Sequence, residues 1–156
     1  MGFMRHLLVD GANVLHAWPE TRTVLKRDRA AARAQLVQRL ASIHDGEQVR
    51  VTVVFDGRGD ELVIERPSQQ LTFSVVYTPS SMSADDVIEQ TVANAADPAA
   101  CVVATDDNAE RETVIAAGAT AIRPEELASW IQRAESRLAT FLAAQRATNA
   151  REWKKP

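Results

Sequence analysis

Short apolar runs alternate with helix-patterned stretches along the whole chain, and that alternation leaves few architectures open. His6 to Asp10, Val49 to Phe55, Leu71 to Tyr77, Cys101 to Ala104 and Ala119 to Ile122 have the length and β-branched content of buried strands. Residues 27–44 are rich in Ala and Arg, place Leu36, Val37, Leu40 and Ile43 at helical spacing, and stop at Asp45-Gly46. Ser83, with Asp86 three residues on, opens a further helix as an Asp version of the capping box. Asn108 to Ala117 reads as another, stopped by Gly118. Pro124 opens a long one with an apolar stripe of Leu127, Trp130, Ile131, Ala134, Leu138, Phe141 and Leu142. Gly57 to Gln70 is polar and reads as a loop or irregular hairpin. The pattern predicts a three-layer α/β domain: a central, mostly parallel sheet flanked by helices. One domain is expected over residues 1–148, with a polar, frayed tail over 149–156.

Composition narrows the function. The single cysteine, Cys101, excludes an intrachain disulfide and a cysteine zinc cluster, and its apolar neighbours predict burial. No run reaches the ~20 apolar residues of a membrane span. No signal-peptide core precedes the first strand, so a soluble cytoplasmic protein is expected. His6, His16 and His44 lack metal-ligand spacing, and no Walker loop, dinucleotide fingerprint or Ser-His-Asp arrangement is present.

The formal net charge is −3. A chain that held nucleic acid by total charge alone would be basic, so any such contact must rest on local distribution. Arg22, Lys26, Arg29 and Arg33 are spaced four, three and four apart. On a continuous helix they would form one basic stripe. A solvated helix face is the ordinary use of such a run, and phosphate contact is the alternative. Arg151, Lys154 and Lys155 form a weaker basic group. Trp18 is expected to pack as a lid over the core.

The acids lie where such sheets carry their chemistry. Ligands of open α/β sheets bind outside the carboxyl ends of the strands, near the point where strand order reverses. Asp10 follows the first strand, Asp56 the second, and Asp106 and Asp107 the fourth. Asp85 and Asp86 begin the helix after the third. Taken singly, Asp85, Asp86, Asp106 and Asp107 are each as well explained by helix capping. Converging, they repel one another, and a hard divalent cation relieves that repulsion. Carboxylate oxygens suit Mg²⁺ or Mn²⁺. Gly11 permits a tight turn; Asn13 can hydrogen-bond the neighbouring loop, orient a carboxylate or simply cap the strand-to-helix turn; and Thr105 can bond a phosphate or a metal-bound water or serve as a turn residue.

Leu-Leu-Val-Asp10-Gly-Ala-Asn13-Val-Leu-His-Ala-Trp18-Pro, Val-Val-Phe-Asp56-Gly, Val-Val-Tyr-Thr78-Pro, Ser83-Ala-Asp85-Asp86-Val-Ile-Glu89 and Val-Val-Ala-Thr105-Asp-Asp107 occur in that order. Together they resemble the YacP-like NYN-domain family, a branch of the PIN-like nucleases, over most of residues 5–145. The resemblance implies a PIN-like sheet, a Mg²⁺ or Mn²⁺ site and endonucleolytic action on RNA. It implies Asp10, Asp85 and Asp107 as core metal ligands, Asp56 as an accessory acid and Asn13 as an orienting residue. Glu89, one helical turn after Asp85, is implied as a ligand through water or as a support. Asp106 is expected as a further acid at the metal site, at a position not reliably acidic in such proteins. A longer basic tail that some relatives carry is not expected here.

These readings predict metal-assisted hydrolysis of single-stranded RNA, with Arg22, Lys26, Arg29, Arg33 and Thr105 on the RNA. A non-catalytic RNA-binding module, working on ribosomes or in RNA processing, is the alternative. RNA is the expected partner, free or ribosome-associated, and a protein partner or homo-oligomer is compatible with either. A phosphatase is disfavoured, because no Asp-x-Asp pair follows the first strand.

Overall fold

The computed structural model describes residues 4–154. The elements run β1 (His6–Asp10), α1 (Gly11–Ala17), α2 (Pro19–Leu25), α3 (Arg29–Glu47), β2 (Arg50–Phe55), β3 (Val63–Glu65), β4 (Phe73–Tyr77), α4 (Ala84–Ala93), β5 (Cys101–Ala104), α5 (Asn108–Ala116), β6 (Thr120–Ile122) and α6 (Pro124–Lys154). They build one six-stranded sheet of order β3-β4-β2-β1-β5-β6. All neighbours are parallel except the antiparallel β3–β4 pair. The three-layer α/β expectation holds.

Strand residues alternate between the two faces, and each face buries its own cluster. Leu7, Val9, Val51, Val53 and Val75 pack with Val14, Leu36, Leu40, Leu127 and Ile131 of α1, α3 and α6. Leu8, Val54, Val76 and Val103 pack on the other face with Ile88, Val92 and Val114 of α4 and α5. The chain builds outward from β1 through β2 to β4, then returns to place β5 on the other side of β1. Strand order therefore reverses at β1, and the carboxyl ends of β1 and β5 flank the resulting crevice.

Several boundaries depart from expectation for visible reasons. The helix expected over 27–44 does not run on from the residues before it. Two short helices precede it, and Asp28 starts α3 by accepting from Ala31 N at 3.1 Å. Helix α3 runs through Gly46 to Glu47 and is capped by Gln48, which adopts the left-handed conformation (φ 54°). The polar 57–70 segment contains the edge strand β3. The α6 stripe buries only as far as Ala134. Beyond the half-buried Leu138, Phe141 and Leu142 are exposed. The expected frayed tail instead continues α6 to Lys154, with residues 149–153 exposed; Lys155 lies outside the described residues. Cys101 is buried, Trp18 is 3% exposed and Trp130 7%. No helix among the described residues is long and apolar enough to cross a membrane.

Candidate metal centre

Three acids from three elements meet at the β1–β5 crevice. Asp10 ends β1 and caps α1, accepting from Asn13 N at 3.4 Å. Asp85 lies in the first turn of α4, and Glu110 in the first turn of α5. One carboxylate oxygen of each lies within 4.8 Å of the others. Asp10 is 6% exposed and Glu110 1%. Both Glu110 oxygens are buried and lack a hydrogen-bond partner among the described residues.

Such an arrangement opposes ionisation. Burial pushes Asp10 up to about 6; the adjacent Glu110 carboxyl and then the Asn13 N–H oppose the rise, and Asp85 adds to it. Burial and then Asp10's charge push Glu110 up to about 9. An unpartnered buried carboxylate carries its full desolvation cost unless a cation or proton offsets it. Three close oxygen donors, with no nitrogen or sulfur ligand, fit a hard divalent cation.

Backbone anchors set these positions. Asp56 Oδ1 accepts from Ala84 N at 2.9 Å, fixing the start of α4 one residue before Asp85. Ser83 and Asp86 complete the expected capping box. Asn13 Oδ1 accepts from Asp106 N at 2.8 Å, tying the β5–α5 loop to α1. Asp107 accepts from Ala109 N and Glu110 N at 2.9 and 3.3 Å, starting α5 and so aiming Glu110. Gly11 does not have a positive φ; a Cβ there would run into the Phe55 ring. A Cβ at Gly57 would strike the Thr78 carbonyl. Close packing, not turn flexibility, requires both glycines.

The residues expected at the site divide accordingly. Asp10 and Asp85 come together. Asp107, expected as the third ligand, is exposed and engaged in capping α5, and Glu110 takes the third place in the cluster. Glu89 stands at the outer edge, where partial desolvation, then Asp85, Asp86 and Asp107, raise its pKa. Asp106 is outside the cluster: it pairs with Arg123 at 2.7 Å. Asp56 serves as an α4 anchor. Thr105 is 0% exposed and accepts from Asp107 N, so it offers no surface to RNA.

Glu110 is not among the expected site residues, and the spacing Asp107-x-x-Glu110 is that of a capping box, which gives such an acid an ordinary local use. The available signal was its position four residues before Val114, on the buried face of α5. An acid there needs a counter-charge.

The expected basic stripe is not a stripe. The chain bends between α2 and α3, yet Arg22, Lys26, Arg29 and Arg33 all line one cavity of about 540 Å³. Ala12, Leu15 and His16 of α1 and Phe55-Asp56 complete much of its wall. Arg33 lies over the Phe55 and Tyr77 rings at 5.0 and 5.4 Å. Asp56 joins the two regions: it lines this cavity and holds the helix that carries Asp85.

The comparisons agree with the fold. The YacP-like NYN domain profile matches residues 7–156. The Bacillus subtilis (strain 168) protein YacP is 30% identical over 135 residues, spanning 85% of this chain and 78% of that protein. A crystal structure of Rae1 (YacP) from Bacillus subtilis superposes with TM-score 0.74 at 27% identity, covering 96% of this chain and 86% of that one. A point mutant of the same protein superposes with TM-score 0.73 at 26% identity, covering 92% and 85%. With its sheet order, its strand-end acids and this match over nearly its whole length, the chain belongs to the YacP-like NYN-domain family.

Proposed function

We propose that this protein is a Mg²⁺- or Mn²⁺-dependent endoribonuclease that hydrolyses single-stranded RNA at the Asp10–Asp85–Glu110 centre. NYN domains are nuclease-type domains related to the PIN-like nucleases, with RNA as their general partner. The observation that carries the finer reading is the pair of buried, unpartnered Glu110 oxygens facing two further carboxylates.

In this reading Asp10, Asp85 and Glu110 hold the cation, and Glu89 and Asp107 enlarge the negative field at its edge. When bound, the cation supplies Lewis-acid polarisation of a phosphoryl oxygen and acidifies the attacking water. The protein's own groups do the rest. Asn13 fixes the loop that leads into Glu110, and Asp56 fixes the helix that carries Asp85. Arg22, Lys26, Arg29 and Arg33 draw phosphate towards the acidic edge. A single strand suits the crevice because its backbone can bend into it, whereas a closed duplex presents a rigid groove.

Purified protein with Mn²⁺ is expected to cut a single-stranded RNA oligonucleotide. Asp10→Asn, Asp85→Asn and Glu110→Gln are each expected to lower the rate at least 100-fold while leaving RNA binding in EDTA intact. Binding without cutting in the unmodified protein would instead favour a non-catalytic RNA-binding module.

A further inference from the structure

Arg22, Lys26, Arg29 and Arg33 gather at one cavity, and among the described residues none pairs with a carboxylate. Asp56 is the only acid in the lining, and one of its oxygens is held by Ala84 N. The cavity therefore carries a local excess of three positive charges in a chain of net charge −3.

The shape of this cluster differs from that of a strand-tracking surface. On one straight helix Arg22 and Arg33 would stand ~16 Å apart as an open ladder. The bend at Lys26 to Asp28, between α2 and α3, folds that ladder into a cup of about 540 Å³. That volume suits one small ligand. Internal phosphodiesters carry one charge each, strung out along the strand. A phosphate monoester carries about −1.5 to −2 at neutral pH, and a diphosphate or triphosphate concentrates more. Compact cations match the second charge pattern.

The geometry points to a pocket for the terminal phosphate of a nucleotide, borne either by the phosphorylated end of an RNA or by a free nucleoside di- or triphosphate. Arg22, Lys26 and Arg29 hold the phosphate oxygens. Arg33, fixed over Phe55 and Tyr77, forms a rigid back wall. Ala12, Leu15 and Leu25 offer an apolar side for the ribose or base. The inference rests on the ribonuclease reading for its choice of a nucleotide as the carrier, and it assigns the cavity to selecting an end.

The test measures binding in EDTA, where no cleavage is required. The full chain is titrated with a short RNA bearing a 5′-phosphate, a 3′-phosphate or neither, and with a nucleoside 5′-triphosphate. At least one phosphate-terminated ligand is expected to bind ten or more times as tightly as the unphosphorylated RNA. The Lys26→Gln/Arg29→Gln double variant, which alters two exposed side chains, is expected to reduce that preference below twofold with an unchanged melting temperature. Preference for a phosphorylated RNA assigns the pocket to an RNA end. Preference confined to the triphosphate assigns it to a free nucleotide. Equal binding of all three RNAs, with no binding of triphosphate, overturns the inference and leaves the nuclease reading standing. End preference without Mn²⁺-dependent cutting does the reverse.

Discussion

Glu110 concentrates the electrostatic argument in one residue. Its carboxyl is buried, has no hydrogen-bond partner among the described residues, and faces Asp10 and Asp85. Its pKa rises from an ordinary 4.5 to about 9, and that of Asp10 from 3.8 to about 6. Between each pair of values the folded state binds more protons than the unfolded state, so stability falls as pH rises through those windows. In EDTA, the melting temperature is expected to decline as pH is raised from about 5 to about 9. Glu110→Gln should flatten most of that decline, because the amide has no proton to lose. An equal or steeper decline in the variant contradicts the assigned burial. A bound divalent cation favours the ionised carboxylates, so it should reverse the trend in the unmodified protein. Gly11 gives a purely steric prediction. Gly11→Ala pushes a methyl group into the Phe55 ring, which should cost ~1–3 kcal/mol in thermal or denaturant unfolding.

At the scale of elements, α4 and α5 are held so that their first turns face β1. Asp56 is the remote anchor of α4. Asp56→Ala should cost ~0.5–2 kcal/mol, as loss of a helix cap does, whereas Asp56→Asn keeps an acceptor and most of the stability. Similar losses in the two variants would mean that the carboxylate's charge, not its bond to Ala84, matters. The elements themselves were largely legible in the sequence. Runs such as Val51 to Phe55 and Cys101 to Ala104 are buried on both faces and read as continuous apolar strands. The α2–α3 bend was not legible from spacing, because Arg22, Lys26, Arg29 and Arg33 keep helical intervals across it. Asp28, the cap that starts α3, was the local clue. At the centre, Asp10 and Asp85 were readable from strand-end position and motif. Glu110 and the Asp106–Arg123 pair depend on side-chain directions that fold only in three dimensions.

For the whole molecule, the sign of the net charge misleads. Acids gather at the β1–β5 crevice and four cations, unpaired among the described residues, gather beside α1, so a chain of net charge −3 still carries a cavity with a local positive excess. Binding of single-stranded RNA in EDTA should weaken with salt. The slope of log affinity against log salt should approach about −3 if all four cations meet phosphate, and Lys26→Gln/Arg29→Gln should reduce its magnitude by about half. A slope near zero in the unmodified protein would remove the cavity from the RNA surface. The central claim, that one fold draws Asp10, Asp85 and Glu110 together to hold a cation, is tested most directly by a crystal soaked in Mn²⁺ and measured for anomalous scattering. A peak coordinated by oxygens of those three carboxylates is the predicted result. A well-ordered soaked crystal with no peak there, or with the ion instead on Asp106 and Asp107, would contradict it.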